Sequence, residues 1–259
     1  MNLSHVKEST QLGGQFPRIL LTGATGFLGS ILLINLEKLG FEVYIIPRLD
    51  EFPVGQTNAV PSGCDLVLIN CMGVTSGEKS YTAEQYIQGN VNSLHLVFDQ
   101  LGTQIKKFVH CSTWLTEGNE VSNYTVSKIQ AEEVVTEAAR SYGFEGVILR
   151  LPTIWSKKKY KKNSLIHNLF KFEFAFSEFE PKNRNAEIHI GTEEFFVGCV
   201  MNSILSNFSS DWSRNPEVWH GNVGLLIEEL SLCESQGGNH NNHVIEKLSQ
   251  IIKHWRMAI

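Results

Sequence analysis

From residue 18 to residue 152 the chain alternates two kinds of segment. Short apolar runs ("RILLT", "FEVYIIPR", "DLVLIN", "KKFVHCST", "EGVILRLP") are separated mostly by longer amphipathic ones ("FLGSILLINLEKLG", "YTAEQYIQGNVNSLHLVFDQLG", "SNYTVSKIQAEEVVTEAARSYG"). The short runs are rich in Leu, Ile and Val and bounded by turn residues, so they read as buried strands; the longer ones place apolar residues three and four apart, as helices do. Strands joined through helices form parallel βαβ units with helices on both faces of the sheet. The expectation is an α/β chain built on a Rossmann-type, doubly wound parallel sheet.

Beyond residue 156 the alternation weakens. A lysine-rich loop, a helix near 164–176, a strand near 186–190 and a helix near 193–206 are expected, and "NHVIEKLSQIIKHWRMAI" places Val244, Leu248, Ile251, Ile252 and Trp255 on one helix face. The expected organisation is a polar lead over 1–17, a parallel-sheet domain over 18–156, and a smaller C-terminal lobe over 157–259 at the sheet edge. A chain of 259 residues, 42% hydrophobic and 19% charged, can bury a core of that size.

The formal net charge of −5 gives no general attraction to phosphate backbones or anionic lipid, which argues against a nucleic-acid or membrane-surface protein. Five cysteines lie scattered without a C-x-x-C pair, so neither a disulfide framework nor a zinc site is expected, and a reducing cytoplasm fits. The first eighteen residues lack the apolar core of a signal peptide, and no apolar run reaches the length of about 18 residues that a membrane span needs.

"TGATGFLGS" places Gly23, Gly26 and Gly29 directly after one expected strand and at the start of a helix. In that position Gly23 permits a tight turn, Gly26 lets backbone approach a pyrophosphate, and Gly29 lets helix and strand pack closely. The free N–H groups of the helix start then face the anion. A second cluster is "CSTWLTEGNEVSNYTVSK". Tyr124 and Lys128 are four residues apart on an expected helix and project from one face. An unperturbed tyrosine titrates near 10, and a neighbouring ammonium would favour its phenolate, so Lys128 is expected to tune Tyr124 as an acid or base.

Taken in order, "TGATGFLGS", "NVNS", "CSTW" and "YTVSK" resemble the extended short-chain dehydrogenases/reductases, the NAD-dependent epimerase/dehydratase group, from about residue 18 to 156 and more weakly to about 224. The glycine spacing is that group's G-x-x-G-x-x-G. The resemblance implies a nicotinamide dinucleotide held by Gly23, Thr25, Gly26, Phe27, Leu28 and Gly29, by Asn70, Cys71 and Gly73 in "INCMG", and by Pro152, Thr153 and Ile154 in "LRLPTIWS". Lys128 is implied to hold the nicotinamide ribose as well, and Tyr124 to move the proton. Thr113, with Ser112 in reserve, is implied to hydrogen-bond the substrate oxygen, and Asn90 to order a water beside the lysine.

At the end of the second strand, "YIIPRLD" offers Arg48, suited to the 2′-phosphate of NADP, with Asp50 near the adenine; NADP is expected, with NAD as the alternative. The sequence also departs from the group. The loop from Thr113 to Tyr124 and the region between residues 48 and 65 are short, and Thr192 replaces a usual aspartate. Trp114 stands where the dehydratases carry an acid, which counts against elimination. "KKKYKK", beginning at Lys157, reads as a solvated loop or, with Arg184, as a clamp for the diphosphate of a nucleotide sugar. "NHNNH" reads as a polar loop rather than a metal site, and "FKFEFAF" as core.

The expected activity is reduction of a keto group on a nucleotide-linked sugar, a 4-ketoreductase. The alternatives are an epimerase with retained NAD, a reductase of another small carbonyl substrate, and an NADP-sensing protein without turnover. The two helices carrying Asn90 and Tyr124 resemble those through which the group forms homodimers.

Overall fold

The computed structural model describes residues 17–46, 66–75, 81–118, 121–156, 184–205 and 218–233. The described residues fall into two compact units. One takes residues up to Arg150 together with Val197–Ser210, and the other takes Leu151–Phe196 and the residues from Asp211 onward. The expected helices near 164–176 and at the C-terminus, together with "FKFEFAF" and "NHNNH", lie outside the described residues.

In the first unit, β1 (Arg18–Thr22), β2 (Val43–Ile46), β3 (Leu66–Asn70), β4 (Ile105–Thr113) and β5 (Glu145–Leu151) form a sheet in the order β2-β1-β3-β4-β5. The β1–β2, β1–β3 and β3–β4 pairs are parallel. From β1 the chain crosses outward to β2, and β3 returns to the other side of β1. The order therefore reverses between β1 and β3, and the carboxyl ends of these strands open the crevice where such sheets bind ligands. The alternation legible in the sequence is thus the observed sheet.

The helices follow from local signals. α1 (Phe27–Lys38) starts at Gly26. α2 (Ala83–Ile87) begins in a capping box made by Thr82 and Gln85, passes into a π-helical turn, π1 (Gln88–Asn92), and continues as α3 (Ser93–Leu101). α4 (Asn123–Tyr142) begins in a second capping box, Ser122 with Thr125, and ends at Gly143, whose φ of +77° is the left-handed stop glycine accepts.

One face of the sheet carries Leu20, Leu68 and Phe108 against Leu94, Val97 and Phe98 of α3 and Ala131, Val135 and Ala138 of α4. Phe98 sits 4.8 Å from Phe108 and 5.5 Å from Phe144 between ring centres. The buried stripe of α4 that supplies this core continues to Lys128 and Thr125. The packing that stabilises the helix therefore also draws the lysine inward.

The second unit contains β6 (Thr153–Trp155), β7 (Glu187–Thr192) and β8 (Val218–Asn222), with β6–β7 parallel and β7–β8 antiparallel, followed by α6 (Val223–Cys233); α5 (Glu193–Leu205) begins in this unit. Thr192, where an aspartate is usual, accepts from the Phe195 N–H at 3.0 Å and so caps α5. Sequence patterning did not anticipate β6, β8 or α6. β6 is three residues long behind Pro152, and "VWHGN" has a glycine in its run, so neither offers a period to read.

Candidate active site

The glycine loop joins β1 to α1. Gly23 has φ +69°, and the Gly26 N–H donates to the Gly23 carbonyl at 2.9 Å, closing a tight turn. A Cβ on Gly29 would lie 2.1 Å from the Gly23 carbonyl oxygen, so the third glycine lets the first turn of α1 sit directly on the loop. A Cβ on Gly23 would lie 2.7 Å from the backbone of Cys71 and Met72, which places the loop beside the segment that follows β3. Thr25 and Gly26 are exposed at the rim, Phe27 and Leu28 are half-buried, and no side chain caps the start of α1. A backbone cradle with uncapped helix N–H groups fits a pyrophosphate, so these residues could hold a dinucleotide.

At the end of β3, Asn70 accepts hydrogen bonds from the Thr22 hydroxyl and, at 3.3 Å, from the Met72 N–H. Gly73 and Val74 come next, and Asn90 grips them. Its carbonyl accepts from the Val74 N–H at 2.7 Å, and its amide donates to the Val74 carbonyl at 3.0 Å and to Ser127 Oγ at 2.9 Å. The π-helical turn is what carries Asn90 inward to make these contacts. This differs from the expected water-ordering role: the buried Asn90 side chain is occupied in tying the loop after β3 to α4.

Ser112 and Thr113 take different partners at the end of β4, where the strand gives way to the turn Trp114–Thr116. Ser112 Oγ donates to Glu132, whose carboxylate also receives Thr116 Oγ1 at 3.2 Å and Arg150 at 3.0 and 2.7 Å. Thr113 Oγ1 instead shares a hydrogen bond with the Tyr124 hydroxyl and accepts from the Leu115 N–H at 3.4 Å. The reserve candidate is therefore engaged elsewhere, and Thr113 is the hydroxyl beside the tyrosine.

This division predicts a contrast between two single substitutions. Ser112→Ala should lower stability by about 1 kcal/mol, read by thermal melting, with dinucleotide-dependent turnover unchanged. Thr113→Ala should leave the melting temperature nearly as it was and lower kcat about tenfold or more. Equal kinetic effects would refute the division.

The electrostatics correct one expectation. Burial pushes the half-buried Tyr124 phenol up to about 12, opposed by its bond to Thr113 and reinforced by Tyr86. Lys128 is not among the groups that shift it. Its Nζ donates to the Cys111 carbonyl at 2.9 Å and lies 3.3 Å from His110 Nε2, and burial lowers it to about 8. His110 was absent from the sequence-based candidates, and only its place in β4, opposite Asn70, brings it into the site.

Trp114 opens the 3₁₀ turn Trp114–Thr116 directly after β4 and is half-buried. Arg48, Asp50 and Lys157 lie outside the described residues. Pro152, Thr153, Ile154 and an exposed Arg184 belong to the second unit. Among the described residues no cluster of His, Cys, Asp and Glu could hold a metal ion, and no helix is long and apolar enough to cross a membrane.

The fold is shared with solved structures, among them an enzyme named for a nucleotide sugar. RMD from Pseudomonas aeruginosa, complexed with NADPH, superposes with a TM-score of 0.67 at 14% identity over 92% of this chain and 99% of that one. UDP-N-acetylglucosamine 4-epimerase from Methanobrevibacter ruminantium M1 gives 0.66 at 14% identity over 95% and 99%. The capsular polysaccharide assembling protein CapF from Staphylococcus aureus gives 0.61 at 20% identity; the match covers 92% of this chain but spans only 64% of CapF. No curated protein sequence matches the chain. The family model for the NAD-dependent epimerase/dehydratase family matches residues 19–172, more than half of the chain and the whole of the parallel sheet beyond Arg18. The chain therefore belongs to the NAD-dependent epimerase/dehydratase family, as an NAD(P)-dependent oxidoreductase of the extended short-chain type.

Proposed function

We propose that the protein reduces a keto group on a nucleotide-linked sugar and prefers NADPH as reductant. The observation that carries this reading is Tyr124: its phenol keeps its proton throughout the neutral range and is hydrogen-bonded to Thr113. A reduction needs an acid at the carbonyl oxygen, and a protonated phenol beside a second hydroxyl is equipped to be one. The dinucleotide, when bound, supplies the hydride that the carbonyl carbon accepts. The protein's own groups do the rest. The loop from Gly23 to Gly29 and the start of α1 hold the pyrophosphate, Thr113 polarises the substrate oxygen, and Tyr124 delivers its proton to that oxygen. Lys128 sits one turn further along α4 to meet the nicotinamide ribose, and Asn90 keeps the segment of Cys71 and Gly73 in place against that helix.

Trp114, where the dehydratases have an acid, favours reduction over elimination. The likeness to RMD complexed with NADPH supports the class of cofactor, and the likeness to an enzyme of UDP-N-acetylglucosamine supports a nucleotide sugar as substrate. That second neighbour is a 4-epimerase, so the alternative reading is epimerisation with a retained NAD, in which Tyr124 would have to give and take a proton in turn. Arg48 favours NADPH on its chemistry, and Lys157 with Arg184 would meet the substrate diphosphate. The scattered cysteines, without a C-x-x-C pair, support a cytoplasmic setting, and exposed Val126 and Ile129 on α4 support a homodimer through that helix.

The test is titration of the purified protein with NADPH and NADH, followed by energy transfer from tryptophan. NADPH should bind about tenfold more tightly, and Arg48→Ala should abolish the difference by removing the charge-assisted pair. Turnover of a nucleotide-linked keto-sugar should follow. Preference for NADH, or dinucleotide that co-purifies and resists dialysis, would put epimerisation first.

A further inference from the structure

A line of buried side chains crosses the carboxyl end of the sheet. Thr22 lies opposite Asn70, and Asn70 opposite His110, in parallel register. Residues so paired project from the same face, so the three meet, and Lys128 completes the line from α4. The Thr22 hydroxyl and the Met72 N–H both donate to Asn70 Oδ1. Asn70 Nδ2 lies 3.0 Å from His110 Nδ1, and His110 Nε2 lies 3.3 Å from Lys128 Nζ. Thr22 and His110 are 1% exposed, Asn70 2% and Lys128 5%.

With so little access to water, donors and acceptors along the line must match one another. Two donors on Asn70 Oδ1 set the orientation of its amide, so the amide nitrogen faces His110. That nitrogen can only donate, which makes His110 Nδ1 an acceptor. The proton of the neutral imidazole is then on Nε2 and points at Lys128. An ammonium has only hydrogens to present to an N–H, whereas an amine has a lone pair. Every group in the line is matched only when Lys128 is an amine that accepts from Nε2–H and donates to the Cys111 carbonyl at 2.9 Å.

We propose that His110, oriented by Asn70 and Thr22, is a positioning residue that opposes protonation of Lys128.

Burial acts in the same direction on both groups, lowering Lys128 to about 8 and His110 well below its ordinary value. The charged and titratable groups that face Lys128 from the surrounding elements are Cys111 on β4, Glu132 on α4 and Cys71 after β3, and all three would favour an ammonium. The contact with Cys111 Sγ at 3.6 Å, and burial after it, push the Cys71 thiol up, so it stays neutral. Glu132 is neutralised by Arg150. His110 therefore opposes a lysine charge that its other neighbours would tolerate. The functional consequence rests on the reading above: if turnover needs an ammonium at Lys128, the proton must be gained against His110, and the pH dependence of turnover will report that histidine.

Nitrogen-15 spectroscopy of the full chain without cofactor reads the tautomer directly, and titration of the Nζ resonance, assigned through Lys128→Met, reads the lysine. The expected result is the Nε2–H tautomer of His110 and a Lys128 transition near the value above. In His110→Gln the amide oxygen can accept from an ammonium, so the transition should rise by about one unit or more. An Nδ1–H tautomer in the wild type, or a Lys128 transition unmoved by His110→Gln, would overturn the proposal. The tautomer is read in the unmodified protein and does not depend on how the variant folds. Binding of NADH and NADPH measured in parallel separates the two readings. The expected tautomer and shift in a protein that binds neither dinucleotide would sink the functional reading and uphold the role of His110. Dinucleotide binding with the Nδ1–H tautomer would do the reverse.

Discussion

Tyr124→Phe is expected to lower kcat about 10²–10⁴-fold, the range for removing a positioned general acid, while the dissociation constant for the dinucleotide stays within about twofold of wild type by the same reasoning. The ring remains in its place against Tyr86, at 5.9 Å between centres, so the substitution takes away the phenolic proton and little packing. Thr113, itself buried, loses its hydroxyl partner on the side of the half-buried Tyr124. Steady-state turnover and a fluorescence titration on the same preparation decide the outcome. Retained turnover would remove Tyr124 as the acid. A response to NADP(H) that survives the substitution without any turnover in the wild type would favour a sensing protein over an enzyme.

The second large effect concerns Gly29. An added methyl would sit 2.1 Å from the Gly23 carbonyl oxygen and 2.9 Å from the Ala24 Cα, both backbone atoms that cannot rotate aside. Either α1 lifts from the loop or the turn at Gly23 opens. Gly29→Ala should cost about 1–3 kcal/mol or more, visible as a fall in melting temperature of roughly 2–4 °C per kcal/mol, together with a weakening of dinucleotide binding by about tenfold or more as the N–H cradle is displaced. Gly198→Ala on α5 is the control. A Cβ there meets nothing within 4 Å, and the change should be neutral or stabilising by up to about 1 kcal/mol. Wild-type melting and binding in Gly29→Ala would refute the close-packing role of this glycine.

Much of the site was legible because its signals are local. Glycines three residues apart between a strand and a helix, and a tyrosine and lysine four apart, act within a few residues, where composition and period suffice. The choice between Ser112 and Thr113 is different. They are adjacent and chemically alike, and which one faces Tyr124 depends on which one Glu132, further along the same helix, and Arg150 engage. Asn90 could be picked out by resemblance, but its work could not, because the π-helical turn that aims it at Val74 has no sequence period of its own. The lysine misled for a related reason. Spacing put Lys128 beneath Tyr124 and suggested an ammonium acting on a phenol, whereas burial and its partners across the sheet decide its charge.

The amino-acid sequence by itself determined the alternation of strand and helix, the nucleotide loop and the pairing of Tyr124 with Lys128, since each rests on dihedral preference and spacing within one or two elements. Only the tertiary structure decided which hydroxyl meets the phenol, what Asn90 holds, and that His110 stands between Asn70 and Lys128. Those facts depend on register between strands that are 40 residues apart in the chain, as Asn70 and His110 are, and on removal from water, which turns a hydrogen-bonding mismatch that solvent would absorb into a constraint on where each proton resides.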